Sequence, residues 1–177
     1  LENNHGTSEV YYFQGRAYAA LDQHRQAVHS YDRSLEIRQN AETLSHKGVS
    51  LAELGMTRDA IETFDKALEQ NNHLAEAWMG KGNVLYDLGK HKEAQAAYEK
   101  SLEIYPENAV GWTRHGMALA AQHQNDAAIE SYDHAVSVDP SFSIAYFTRG
   151  SALIALGRYL EASEAFSAMI SLQPDFV

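Results

Sequence analysis

Apolar and small residues recur along this chain with two nested spacings. Within residues 75–108, AEAWMGKGNVLYDLGKHKEAQAAYEKSLEIYPEN, Trp78, Gly82 and Leu85 fall at i, i+4 and i+7, one face of a first helix. Ala94, Tyr98, Ser101 and Leu102 fall at i, i+4, i+7 and i+8, one face of a second. Between them Leu88-Gly89 reads as a helix end, because glycine accepts the left-handed backbone that follows a helix. Pro106 closes the unit, since it cannot continue the second helix and biases Tyr105 away from helical geometry. The pattern predicts a helix hairpin with a short turn.

The same pattern repeats. Gly15, Gly48, Gly82, Gly116 and Gly150 are spaced 33, 34, 34 and 34 residues apart. Ala27, Ala60, Ala94, Ala128 and Ala162 each follow one of these glycines by 12 residues, and Tyr31, Phe64, Tyr98, Tyr132 and Phe166 follow the alanines by four. A period of this size signals stacked repeats, here 8–40, 41–74, 75–108, 109–142 and 143–176. The first unit is one residue short, with the loss in Arg38–Asn40, which predicts a tighter link and an altered packing angle. Its turn, Asp22-Gln23-His24, lacks the Leu-Gly signal and is expected to be looser; the fourth unit has Gln122-His123 at that place. Thr7 or Ser8, Thr57 and Asn125 are candidate helix caps, and Asn71-Asn72-His73 stands as a turn-tolerant link where other units have proline.

A glycine inside a helix costs roughly 0.5–1 kcal/mol relative to alanine, so five of them call for compensation. Close approach is the expected one: glycine on the first helix and alanine on the second let two backbones meet, with Trp78 and Tyr98 filling the space on either side. The alternative, that the glycines sit in loops, conflicts with the uninterrupted helical pattern around them.

These residues resemble the tetratricopeptide repeat family over nearly the whole chain. Numbered from Ala75, the family's large residue at position 4 is Tyr11, Leu44, Trp78, Trp112 and Tyr146. Position 8 is the glycine series, position 20 the alanine series and position 24 the aromatic series. Position 11 is Tyr18, Leu51, Leu85, Leu119 and Leu153; position 27 is Ser34, Ala67, Ser101 and Ala135, with Met169 departing from it. Position 32 is Pro106, Pro140 and Pro174, but Asn72 and Gln39 in the second and first units. The resemblance implies an all-α fold, a right-handed α-α superhelix (solenoid) of five hairpins forming a single domain over 8–177, with 1–7 disordered or tag-derived. No capping helix follows Pro174, so Phe166, Met169, Ile170 and Leu172 are expected to leave an apolar face, through either truncation or end-to-end association of copies.

Composition narrows the function. A net charge of −10 with 14 Lys+Arg offers no basic stripe to nucleic acid, and no apolar run approaches the roughly 18 residues that span a bilayer. Absence of cysteine removes disulfides, thiolate catalysis and cysteine metal sites. The chain starts at Leu1, which reads as a tag remnant or an excision from a longer protein; a cytoplasmic location is expected, although an upstream signal would not be visible. His24 and His29 are five apart, and His115 and His123 eight, neither being the three- or four-residue spacing that puts two ligands on one helical face. No phosphate-cradling glycine loop or nucleophile elbow is present, so neither metal, cofactor nor catalytic residues are expected. Lys47, Lys81, His115 and Arg149 each precede a repeat glycine, which argues for packing or snorkelling.

By resemblance, positions 2, 5, 9, 12 and 13 line a concave groove that binds an extended peptide or a partner helix. Here they are Glu9, Tyr12, Arg16, Ala19 and Ala20; Glu42, Ser45, Val49, Ala52 and Glu53; Glu76, Met79, Asn83, Tyr86 and Asp87; Val110, Thr113, Met117, Ala120 and Ala121; and Ile144, Phe147, Ser151, Ile154 and Ala155. The first three units contribute acidic and hydrogen-bonding groups and the last two mainly apolar ones. That asymmetry predicts a ligand with a basic or polar segment against Glu42, Glu76, Asn83 and Asp87, and an apolar one against Met117, Ile144, Phe147 and Ile154. The opposing reading is that tighter packing covers these residues or that the acids only aid solubility. The carboxylate clamp with which some family members hold chaperone tails is absent: Asn83 fits, but Met79, Arg114, Ile144 and Thr148 stand at its other places. A protein-binding scaffold is the first reading, ahead of a recruiting module of a larger enzyme and a self-assembling structural element.

Overall fold

Each predicted hairpin is a pair of helices in the computed structural model, which describes residues 2–172, with side chains from residue 6 onward. The helices are α1 (Glu2–Ala20), α2 (His24–Ile37), α3 (Ala41–Glu53), α4 (Thr57–Gln70), α5 (Ala75–Asp87), α6 (His91–Ile104), α7 (Ala109–Ala120), α8 (Asn125–Val138), α9 (Ser143–Ala155) and α10 (Tyr159–Leu172). Among the described residues there is no strand. Leu1 and Pro174 lie outside the described residues. The chain divides into two compact units, Leu1–Val84 and Leu85–Val177, the line falling inside α5.

In the first unit α1 packs on α2, α2 on α3 and α3 on α4. Its core gathers Leu35, Leu44, Leu51, Ala60, Phe64, Ala67, Leu68, Ala77 and Val84, flanked by Trp78. The second unit repeats the scheme from α6 to α10. Leu119, Ala128, Ile129, Tyr132, Leu153, Ala162 and Ala165 form its larger cluster, and Ala109, Ala135 and Ala145 a smaller one beside Trp112.

At four of the repeat glycines the nearest neighbour is the aromatic ring of the same repeat. A Cβ on Gly15 would lie 2.5 Å from the Tyr31 ring, on Gly48 2.8 Å from Phe64, on Gly116 2.5 Å from Tyr132 and on Gly150 2.7 Å from Phe166. These four first helices therefore receive the ring of their own second helix into the space a side chain would fill. The alanines are fully buried nearby, Ala27, Ala60, Ala94 and Ala128 at 0% exposure, but the close approach is glycine to ring. Burial pushes the Tyr31 phenol up to about 12 and raises those of Tyr98 and Tyr132 as well.

All five hairpin turns are alike, contrary to the looser turn expected in the first unit. Asp22 (φ 60), Gly55, Gly89, His123 (φ 61) and Gly157 each adopt the left-handed conformation. The following N–H reaches back to the helix: Gln23 to Tyr18 O at 2.9 Å, Met56 to Leu51 O at 2.9 Å, Lys90 to Leu85 O at 2.9 Å, Gln124 to Leu119 O at 3.0 Å and Arg158 to Leu153 O at 2.9 Å. With the accompanying bonds from Asp22 N to Ala19 O and Gly55 N to Ala52 O, this is the Schellman helix end. Aspartate and histidine tolerate the geometry better than most residues, so the turn survives without glycine.

The helix starts also differ from expectation. Thr57 and Asn125 are the first residues of α4 and α8 and do not cap them; Met56 and Gln124 stand at the caps without side-chain bonds. Thr57 Oγ1 instead donates to Gly55 O. α1 begins at Glu2 and runs through the stretch expected to lie outside the repeat; Ser8 sits within it, its Oγ donating to Ser34 O while Ser34 Oγ donates to Ser8 O. The working caps are Asn40, accepting from Thr43 N at 3.0 Å, and Asn108, accepting from Gly111 N at 3.0 Å.

Links between hairpins are fastened by the large residue at position 4. Trp78 Nε1 donates to Asn72 O at 3.0 Å, Trp112 Nε1 to Pro106 O at 2.8 Å, and Tyr146 Oη to Pro140 O at 3.1 Å. The first link is shorter, residues 38–40 against 71–74 in the second, and Gln39 Nε2 closes it onto Leu35 O at 2.9 Å. In the second, Asn71 Oδ1 accepts from His73 N, the side-chain turn its asparagines suggested.

Candidate binding faces

In the first unit, α1 and α3 bring an aromatic and charged group together. Tyr12 lies 5.6 Å from the His46 ring and 5.1 Å from Phe13, and the Arg16 guanidinium sits 5.8 Å from the Tyr12 ring centre, within cation–π reach. Burial raises the Tyr12 phenol, assisted by the Glu42 and Glu76 carboxylates and opposed by Arg16. Burial lowers the His46 imidazole, while Glu76 and Glu42 pull it back up. Glu42 and Glu76 are exposed, with Met79 and Asn83 half-buried. Glu9, Tyr12 and Glu42 line a cleft of about 350 Å³ with Phe13 and Arg38.

In the second unit the corresponding face is apolar. Val110 on α7 and Ile144, Phe147 and Ile154 on α9 are 48, 52, 52 and 48% exposed. Tyr86 and Met117 are half-buried, and Asp87 and Ser151 are exposed. Thr113 is a correction to the expected groove: it is 3% exposed and its hydroxyl donates to Ala109 O at 2.9 Å, satisfied inside its own helix. Ser45 in the first unit is buried likewise. Phe147 instead stands out from α9 and meets the Phe166 ring edge-on at 5.9 Å.

Of the residues expected at an end-to-end contact, Ile170 and Leu172 are exposed and Met169 is half-buried. Phe166 fills the place under Gly150 and joins the Leu119–Leu153 cluster, so most of its ring serves its own hairpin.

Sequence models of the tetratricopeptide repeat match residues 8–40, 75–108 and 113–175. The chain belongs to the tetratricopeptide repeat family. No curated protein matches it. Among solved structures, one of MamA from Desulfovibrio magneticus RS-1 superposes with a TM-score of 0.86 at 22% identity, covering 96% of this chain and 97% of that one. YrrB, described as a tetratricopeptide repeat protein with an unusual peptide-binding site, gives 0.77 at 22% identity, covering 94% and 86%. Pseudomonas aeruginosa PilF gives 0.87 at 17% identity, covering 96% and 78%. At these identities the likeness is one of fold.

This tetratricopeptide array carries a feature the sequence reading missed. From Gly48 onward, the residue before the repeat glycine reaches an acidic side chain on the second helix of the repeat before it: Lys47 pairs with Asp32 at 2.6 Å, Lys81 with Asp65 at 2.5 Å and Arg149 with Asp133 at 2.6 Å, while His115 Nε2 lies 3.4 Å from Glu99. Snorkelling alone is thus not their role. Each acidic partner directly follows an aromatic of the position-24 series, a regularity visible in the sequence: Tyr31-Asp32, Phe64-Asp65, Tyr98-Glu99 and Tyr132-Asp133. His46, too, was absent from the expected groove, being one place off the family's lining positions. Among the described residues no group of three or more His, Asp or Glu converges to hold a metal ion, and no helix is long and apolar enough to cross a membrane.

Proposed function

We propose that the array, a protein-interaction module by family, binds a partner through the exposed faces of its first helices, with different chemistry in its two units. The observation that carries this is the asymmetry of those faces. The first unit's face offers exposed Glu42 on α3 and Glu76 on α5, in the unit where Tyr12 meets His46, suited to a basic or polar segment. The α7/α9 face offers Val110, Ile144, Phe147 and Ile154, each about half exposed, suited to apolar side chains; clustered exposed apolar residues mark contact sites. The partner is a protein or peptide carrying both kinds of segment, and the role is binding rather than catalysis. The peptide-binding site stated for YrrB supports a peptide ligand here.

Selecting displayed peptides on the chain and measuring their affinities tests the reading. Selected peptides should pair Lys/Arg with apolar residues, and their affinity should fall tenfold or more both in E42K/E76K and in Phe147→Asp. Binding that survives both variants would overturn it.

A further inference from the structure

We propose that the cleft between α1 and α2, away from the faces above, accepts an acidic helical segment of a partner protein. The cleft is about 440 Å³ and is lined along α1 by Tyr11, Gln14 and Tyr18 and along α2 by Arg25, His29 and Arg33. Arg25, His29 and Arg33 stand at i, i+4 and i+8, one straight line on a helix, whose ends are about 12 Å apart at the α-helical rise. None of the lining residues is acidic, although the chain as a whole carries −10.

The same line carries two arginines only on α2; on α6 it reads Lys92, Ala96, Lys100, with Lys100 paired to Glu103, two cations without a central imidazole. On α4 it reads Arg58, Glu62, Lys66, with Arg58 paired to Glu62. On α8 it reads Asp126, Glu130, His134. On α2 the middle place is His29, and among the described residues Arg25 has no ion-pair partner. Arg33 pairs with Glu36 at 2.8 Å and lies 5.7 Å from the Tyr11 ring, which holds its guanidinium at the cleft while leaving further N–H groups to donate.

The ladder of ion pairs indicates what shape fits. In later repeats the residue before the glycine reaches across to an acidic side chain on a neighbouring second helix. At that place here Gln14 is neutral, accepting a bond from Ser30 at 3.3 Å. In later repeats α3, α7 and α9 each pack against the second helix before them, so the corresponding face of the first hairpin is of a kind that meets a helix. Carboxylates two turns apart on that helix would reach Arg25 and Arg33. A long polyanion such as nucleic acid suits it less, because beyond two arginines it meets Asp22 and Glu36 and the acidic surface of the chain.

The test uses a fluorescein-labelled, alanine-rich 15-residue peptide with two glutamates seven residues apart, and a control with glutamine in their place. By anisotropy the glutamate peptide should bind, weaken at least fivefold between 50 and 300 mM salt, and lose tenfold or more with R25E/R33E; the glutamine peptide should not bind. Phe147→Asp should leave this binding unchanged, separating it from the proposed function. Arg25→Ala, a milder change on an exposed side chain, should weaken binding if the double variant melts abnormally. Absent binding, or binding indifferent to Arg25 and Arg33, overturns the proposal. So does equal affinity for a 15-nucleotide single strand, or self-association by light scattering that R25E/R33E abolishes, which would assign the cleft to a second copy.

Discussion

His115 Nε2 faces Glu99 Oε1 at 3.4 Å while its Nδ1 lies 3.0 Å from Ser131 Oγ, in the place where Lys47, Lys81 and Arg149 hold permanently charged pairs. Burial lowers the imidazole from its ordinary value, and Glu99 only partly opposes the shift. The folded state therefore binds fewer protons than the unfolded one just below pH 6.5. Stability from this group is full above the unfolded value and is lost as pH falls towards the folded one. Lysine does not titrate in that range, so the melting temperature of His115→Lys relative to the parent should rise as pH is lowered from 7.5 to 5.5. A difference that stays flat over that interval would show that His115 does not sense protons in the fold.

Gly48→Ala places a methyl 2.8 Å from the fully buried Phe64 ring. Overpacking costs about 1–3 kcal/mol, which outweighs the roughly 0.5–1 kcal/mol of helix propensity gained. Urea unfolding should show a net loss, and trimming the ring in Gly48→Ala/Phe64→Leu should recover part of it.

His123 carries a positive φ that glycine takes at Gly55, Gly89 and Gly157. The left-handed conformation costs a residue with a Cβ about 1–2 kcal/mol, against about 0.5–1 kcal/mol of added chain entropy for glycine. His123→Gly should therefore stabilise by about 0.5–1 kcal/mol, read as a higher melting temperature.

Trp112→Phe keeps an aromatic ring but removes the N–H that holds Pro106 O at 2.8 Å. The expected loss is about 0.5–1.5 kcal/mol by denaturant unfolding. Faster amide exchange at Tyr105, Glu107 and Asn108 should accompany it, because the indole fastens that link.

The hairpins were legible because each helix writes its own period: glycine, alanine and aromatic positions repeat within single elements. What escaped reading depends on two elements at once. Lys81 and Asp65 lie 16 residues apart in sequence on different helices, so no helical spacing links them, although the acidic residue after each aromatic recurs as regularly as the glycines. The turn at Asp22 was misjudged because the Schellman bonds belong to the helix backbone, which glycine eases but does not create, as the same turn at His123 also shows. Thr113 was placed on the binding face by position alone; it is buried, where Phe147 at the equivalent place on α9 stays exposed.

The ladder also gives every internal hairpin a front and a back: a basic side chain ahead of the glycine and a carboxylate after the ring. A duplicate of residues 41–74 spliced in behind the original would present its own Lys47 to the Asp65 already there. Such a chain can lengthen by copying, without inventing a new joint.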